Sequence, residues 1–89
     1  MLDELKENLG ITGTDQDAAL EKKILSGKAR LDGLAGVALE YEVEGLPRSL
    51  CLDCCRYDYN NALEYFEENF AKEILRMQLQ AAVIDNDTE

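Results

Sequence analysis

The stretch LPRSLCLDCCRYDYNNALEYFEENFAKEILRMQLQ, residues 46–80, decides how this chain folds. Wound as a helix, its first part is apolar on nearly every side: Leu50, Cys51, Leu52, Cys54 and Cys55 cover most of the circumference, as in a helix buried among others. Leu46-Pro47 opens that helix, because proline lacks an N–H that the first turn would leave unpaired anyway. The polar run YDYNN then weakens the pattern, so a break or kink is expected near 58–61, with one continuous long helix as the alternative. Asn61 with Glu64 three positions on has the form of a capping box that starts a fourth helix. In that helix Leu63, Phe66, Phe70, Ile74 and Met77 make one apolar stripe. Ala71, Leu75, Leu79 and Ala82 make a second, weaker patch roughly 120° around the barrel at about 3.6 residues per turn. One helix with two apolar faces needs two partners, and the domain's own core supplies only one. The second patch is therefore expected at an interface with another subunit or protein.

Upstream, Leu2, Leu5 and Leu9 of MLDELKENLG share one helical face, and Gly10 is a natural stop. TGTDQD supplies the start of a second helix, with Thr14 or Asp15 as N-cap and Asp17 adding negative charge to the first turn. Leu20, Ile24, Gly27, Leu31 and Leu34 then follow helical spacing, which places this helix over about residues 15–35, with Gly33 and Gly36 at its end. Gly27 costs roughly 1 kcal/mol relative to alanine in a helix interior, and close helix packing is the expected reason for it. After it, Val37, Leu39, Tyr41 and Val43 alternate with Ala38, Glu40, Glu42 and Glu44, the period of an extended segment. A lone strand is not stable, so this connector either packs on the helices as a surface loop or pairs with a neighbouring chain. In the second case Val37, Leu39, Tyr41 and Val43 join the helical patch as interface residues.

These readings predict an all-α fold: a small four-helix domain over residues 1–84 with an extended connector around 37–45, then an acidic, disordered tail at 85–89. The expected core is Leu20, Ile24 and Leu31 from the second helix, Leu50, Cys51, Cys54 and Cys55 from the third, and Leu63, Phe66, Phe70 and Ile74 from the fourth. With 89 residues, 46% hydrophobic content and one proline, the chain has the composition of a single folded domain. A domain of this size buries only about 60–65% of its unfolded surface, so outside support is expected.

A net charge of −10 argues against nucleic-acid binding through a basic patch. No apolar run approaches the roughly 18 residues that span a bilayer, and the N-terminus is acidic where a signal peptide would be basic, which predicts a cytoplasmic chain with no membrane partner. Three cysteines crowded into positions 51–55 cannot staple distant segments and fit free thiols in a reducing compartment.

Chemistry at the cysteines is the sharper possibility. Cys51, Cys55 and Asp58 could share a helical face, but zinc needs about four ligands, and the chain has no histidine or second cysteine pair. Redox work by Cys51 and Cys54 would need one exposed thiol at a helix N-terminus, whereas Pro47 starts the helix earlier and Leu50 and Leu52 surround the pair. The thiols are expected to fill space as small hydrophobes. Without histidine there is no Ser-His or Cys-His pair, and Glu64, Glu67 and Glu68 have the pattern of a solvated helix face. No enzyme activity, metal or cofactor is expected.

The order of a short helix ending in LGI, a capped amphipathic helix, an extended connector, then LPRSL and RYDYNNALEYFEENFAKEILRMQLQ resembles the small head–tail connector (head-completion, adaptor) proteins of tailed bacteriophages and prophages. The likeness rests on Leu46-Pro47, Arg56-Tyr57, Asn60-Asn61-Ala62-Leu63, Phe66, Phe70, Leu75 and Leu79, and extends more loosely to MLDELKENLGI. These are helix and turn patterns rather than chemical signatures. The resemblance implies a cyclic homo-oligomer, dodecameric on the portal, at the virion's head–tail junction after assembly in the host cytoplasm. Its partners would be the portal protein and the next head-completion or tail protein, with DNA passing through a central channel unbound. Related connectors often carry aromatic or aliphatic residues where this chain has Cys54 and Cys55, a change from one space-filling group to another.

An acidic wall beside such a channel would repel phosphates, so some of Glu40, Glu42, Glu44, Glu64, Glu67 and Glu68 are expected to face it. From other classes, an acidic DNA mimic, another small helical protein-interaction module and a thiol-based metal or redox module are the alternatives.

Overall fold

α1 spans Leu2–Leu9 and stops at Gly10, whose left-handed φ of 72° lets its N–H reach back to the Glu7 carbonyl. The computed structural model describes the backbone of residues 1–87 and the side chains of residues 1–83. α2 spans Asp17–Ala35 and ends at Gly36, again left-handed at φ 78°. Its start differs from expectation. Gln16, not Thr14 or Asp15, is the N-cap residue and makes no side-chain cap. The turn before the helix is closed by the backbone instead, with the Asp17 N–H donating to the Thr14 carbonyl at 3.2 Å. Asp17 pairs with Lys6 of α1 at 2.8 Å, which fastens the two helices where the N-terminal dipole favours a carboxylate.

α3 spans Leu46–Tyr59 with Pro47 in its first turn, and it is the central element, packed against α1, α2 and the helices that follow. Leu50, Cys51, Cys54 and Cys55 are all buried, as the run of apolar residues around the helix requires. α2 crosses α3 at Gly27, where an added Cβ would lie 3.5 Å from the Sγ atoms of both Cys51 and Cys55.

The break expected near 58–61 is present, by a different mechanism. Asn61 does not cap a new helix. It adopts φ 57° and closes α3, while the Ala62 N–H donates back to the Tyr57 carbonyl at 2.8 Å. Asparagine tolerates that left-handed conformation better than most side chains. The expected fourth helix is divided into a 3-10 turn over Leu63–Tyr65, α4 over Phe66–Asn69 and α5 over Ala71–Asp87. The turn folds the chain back so that Phe66 and Phe70 meet Tyr57 of α3, edge to face, with ring centroids 6.0 and 5.4 Å away.

The core lies between α2, α3 and α5: Leu20, Ile24 and Leu31 face Leu50 and the cysteines, with Leu5, Phe66, Ile74 and Met77 closing the ends. Leu63 and Phe70, expected inside, are half-buried at its edge. α5 continues through Asp87, so the backbone of 85–87 is helical where a disordered tail was expected; Thr88 and Glu89 lie outside the described residues. Among the described residues there is no strand, and no helix is long and apolar enough to cross a membrane.

Candidate interaction surface

The connector is an arm tied to its own domain. Asp32, in the last turn of α2, accepts the Leu39 N–H at 3.0 Å and the Tyr41 O–H at 2.7 Å through the same carboxylate oxygen. The Lys28 carbonyl lies 3.1 Å from the same hydroxyl, and the Lys28 ammonium sits 5.5 Å from the Tyr41 ring centroid. Burial, reinforced by the Asp32 hydrogen bond, pushes the Tyr41 phenol well above its usual pKa. Beyond the ring, Arg48 in the first turn of α3 donates to the Tyr41 carbonyl at 2.8 Å and pairs with Glu4 of α1.

Tyr41 was expected at an interface and is core, 6% exposed, because α2 offers its ring a slot and its hydroxyl two acceptors. The alternating apolar face is therefore not one surface. Val37 and Leu39 are half-buried, and Val43 is left 58% exposed.

Between the arm and α5 lies a cleft of about 420 Å³. Val37, Leu39, Val43 and Leu46-Pro47 form one wall, and Met77, Gln80 and Ala81 form the other. The charged groups that line it are Glu40 and Glu44, both exposed and neither in an ion pair among the described residues. Gln78, which donates to the Leu34 carbonyl at 2.9 Å, fixes α5 against the end of α2.

On its far side α5 presents Leu75, Leu79 and Val83, exposed by 55%, 59% and 59%, with Ala71 and Ala82 exposed beside them. Ala71, Leu75, Leu79 and Ala82 thus sit outside the domain's own core. Val83 was not among the expected interface residues, although its position four after Leu79 on the helix could have shown it. At 100° per residue, Lys72 and Arg76 flank the same side of the helix. Both are exposed, and neither makes an ion pair among the described residues.

The six carboxylates expected at a channel are all exposed but fall into two groups, one on the arm and one on the 3-10 turn and α4. Glu67 is compensated by Arg30 of α2 at 3.0 Å, and Glu40 accepts the Glu42 N–H at 3.1 Å.

The thiols are enclosed. Cys51 donates to the Ile24 carbonyl at 3.8 Å, and burial pushes the Cys54 thiol up to about 11. The hydrogen bond to Cys51, followed by burial, pushes Cys55 up as well. The same bond moves Cys51 the other way, downward, yet all three thiols are buried, and a sulfur shut off from its surroundings is a poor nucleophile. Asp58, which could have shared a face with Cys51 and Cys55, pairs with Lys23 at 3.4 Å. Among the described residues no three potential metal ligands come together. Comparison with protein-family models, with curated proteins and with solved structures found no match.

Proposed function

We propose that the chain is a structural subunit of a phage or prophage head–tail connector, a ring beneath the portal that joins capsid to tail and leaves a channel for DNA. The observation that carries this reading is the outward stripe of α5. Three large apolar side chains in register, each more than half exposed, are a surface that a small acidic domain gains by covering. A ring needs two different patches that meet head to tail, and the cleft beside the arm is a second patch distinct from the stripe. The exposed carboxylates on the arm and α4 suit the neighbourhood of passing DNA, whose phosphates they repel. In this reading the protein works by geometry, without catalysis or cofactor, and its partners are itself, the portal protein and the next head-completion or tail protein.

Genes for a portal, a protease and a major capsid protein are expected just before its own. Mixed with that portal protein, the chain should form closed rings visible by electron microscopy. A gene neighbourhood without any capsid or packaging gene, or a portal that gathers no ring of this chain, would sink the reading.

A further inference from the structure

The stripe and the cleft carry complementary chemistry. Leu75 and Leu79 project from α5 with Lys72 and Arg76 beside them, and the cleft is an apolar cavity of about 420 Å³ whose charged lining groups are both glutamates. None of these four charges has an ion-pair partner among the described residues. On α5 the cleft is lined by buried Met77 and Ala81 and by exposed Gln80, which also borders Arg76, Leu79 and Val83, so stripe and cleft are different patches that adjoin at Gln80.

We infer that α5 of one copy seats its stripe in the cleft of the next copy, with Leu75 and Leu79 filling the cavity and Lys72 and Arg76 meeting Glu40 and Glu44. The inference rests on the reading of the chain as a self-assembling subunit and supplies its joint. A second copy fits because it brings both the apolar knobs and the only kind of charge that the cleft lining attracts. A net charge of −10 opposes association in general, so the contact must place its few cations against carboxylates. Stripe and cleft are different patches, so a copy that gives its stripe to one neighbour and its cleft to another makes a heterologous contact. Each joint leaves a free stripe at one end and a free cleft at the other, which is the geometry of a ring or an open filament. The arm's own anchors matter here: with Tyr41 and Leu39 held by Asp32, the cleft wall exists before any partner arrives.

The test uses charge reversal at exposed positions, which leaves the core untouched. Self-association of the full chain is followed by sedimentation and by concentration-dependent amide shifts up to millimolar protein, for the parent, for E40K/E44K and for K72E/R76E. Each double variant should associate about tenfold more weakly or worse than the parent, since opposite charges across a joint become like charges. An equimolar mixture of the two should recover association, because every stripe then finds a cleft of opposite sign.

Variants that associate as tightly as the parent, or a mixture no better than either variant alone, would overturn this joint while leaving self-assembly standing. A parent with no concentration-dependent shifts at millimolar protein would overturn it too, and the connector reading would then be judged separately by its rings on the portal.

Discussion

Asp32 is the residue on which the arm depends, since one carboxylate oxygen accepts both the Leu39 N–H and the Tyr41 hydroxyl. Tyr41→Phe removes one of those bonds and should cost about 1 kcal/mol in urea unfolding. Asp32→Ala strands the Leu39 N–H and leaves the Tyr41 hydroxyl only the Lys28 carbonyl, so it should cost more, about 2 kcal/mol, with raised amide exchange confined to 37–44. Equal effects from the two substitutions would show that the tyrosine bond alone holds the arm. Gly27 leads to the opposite sign. A methyl group there meets two sulfur atoms at ordinary contact distance, so Gly27→Ala should gain about 0.5–1 kcal/mol from helix propensity, whereas Gly27→Leu should clash. The sequence shows that Gly27 lies on the buried stripe, but not how far the opposing sulfurs stand from it. Tyr41 shows a similar limit: alternation every second residue says that four side chains share a side of the arm, and only the position of α2 decides which of them enters the core.

At the scale of elements, α1, α2 and α3 were legible almost to the residue, because glycine stops, a proline start and regular apolar spacing act locally. The break near 58–61 was legible too, from the polar run YDYNN, but the second interruption near Phe70 was not: the 3.6-residue period runs on where the chain divides the helix and packs Phe66 and Phe70 on Tyr57. Those ring contacts join residues on two different helices, so no local pattern announces them. The two faces of the last helix were legible, since inward Ile74 and Met77 are buried while Leu75 and Leu79 are not. The double variant L75S/L79S should therefore change monomer stability by less than about 1 kcal/mol, as expected for exposed sites, while its helical circular dichroism stays that of the parent. A loss of several kcal/mol would mean that the stripe already packs within its own domain.

For the whole molecule, Cys54, Cys55 and Tyr41 set a limit on the alkaline side. Each has its pKa raised in the folded chain, Cys54 to about 11, so above the usual thiol value of about 8.5 the unfolded chain releases protons that the folded one keeps. The stability they contribute is complete below that value and is lost as pH rises toward 11 and beyond. The urea midpoint should thus hold level, as far as these groups are concerned, through neutral pH and fall from about pH 9 upward. In Cys54→Ala the fall should be shallower; an unchanged slope would place the titration elsewhere.

The enclosure of Cys51, Cys54 and Cys55 on one helix also equips the protein with its own unfolding counter. An alkylating reagent can reach these sulfurs only when α3 leaves its neighbours, so labelling under native conditions measures how often the molecule opens. If α2, α3 and α5 open as a unit, intact mass spectra should pass from unmodified chain to the triple adduct with little in between. Single and double adducts, by contrast, would trace a route by which one end of α3 frays first.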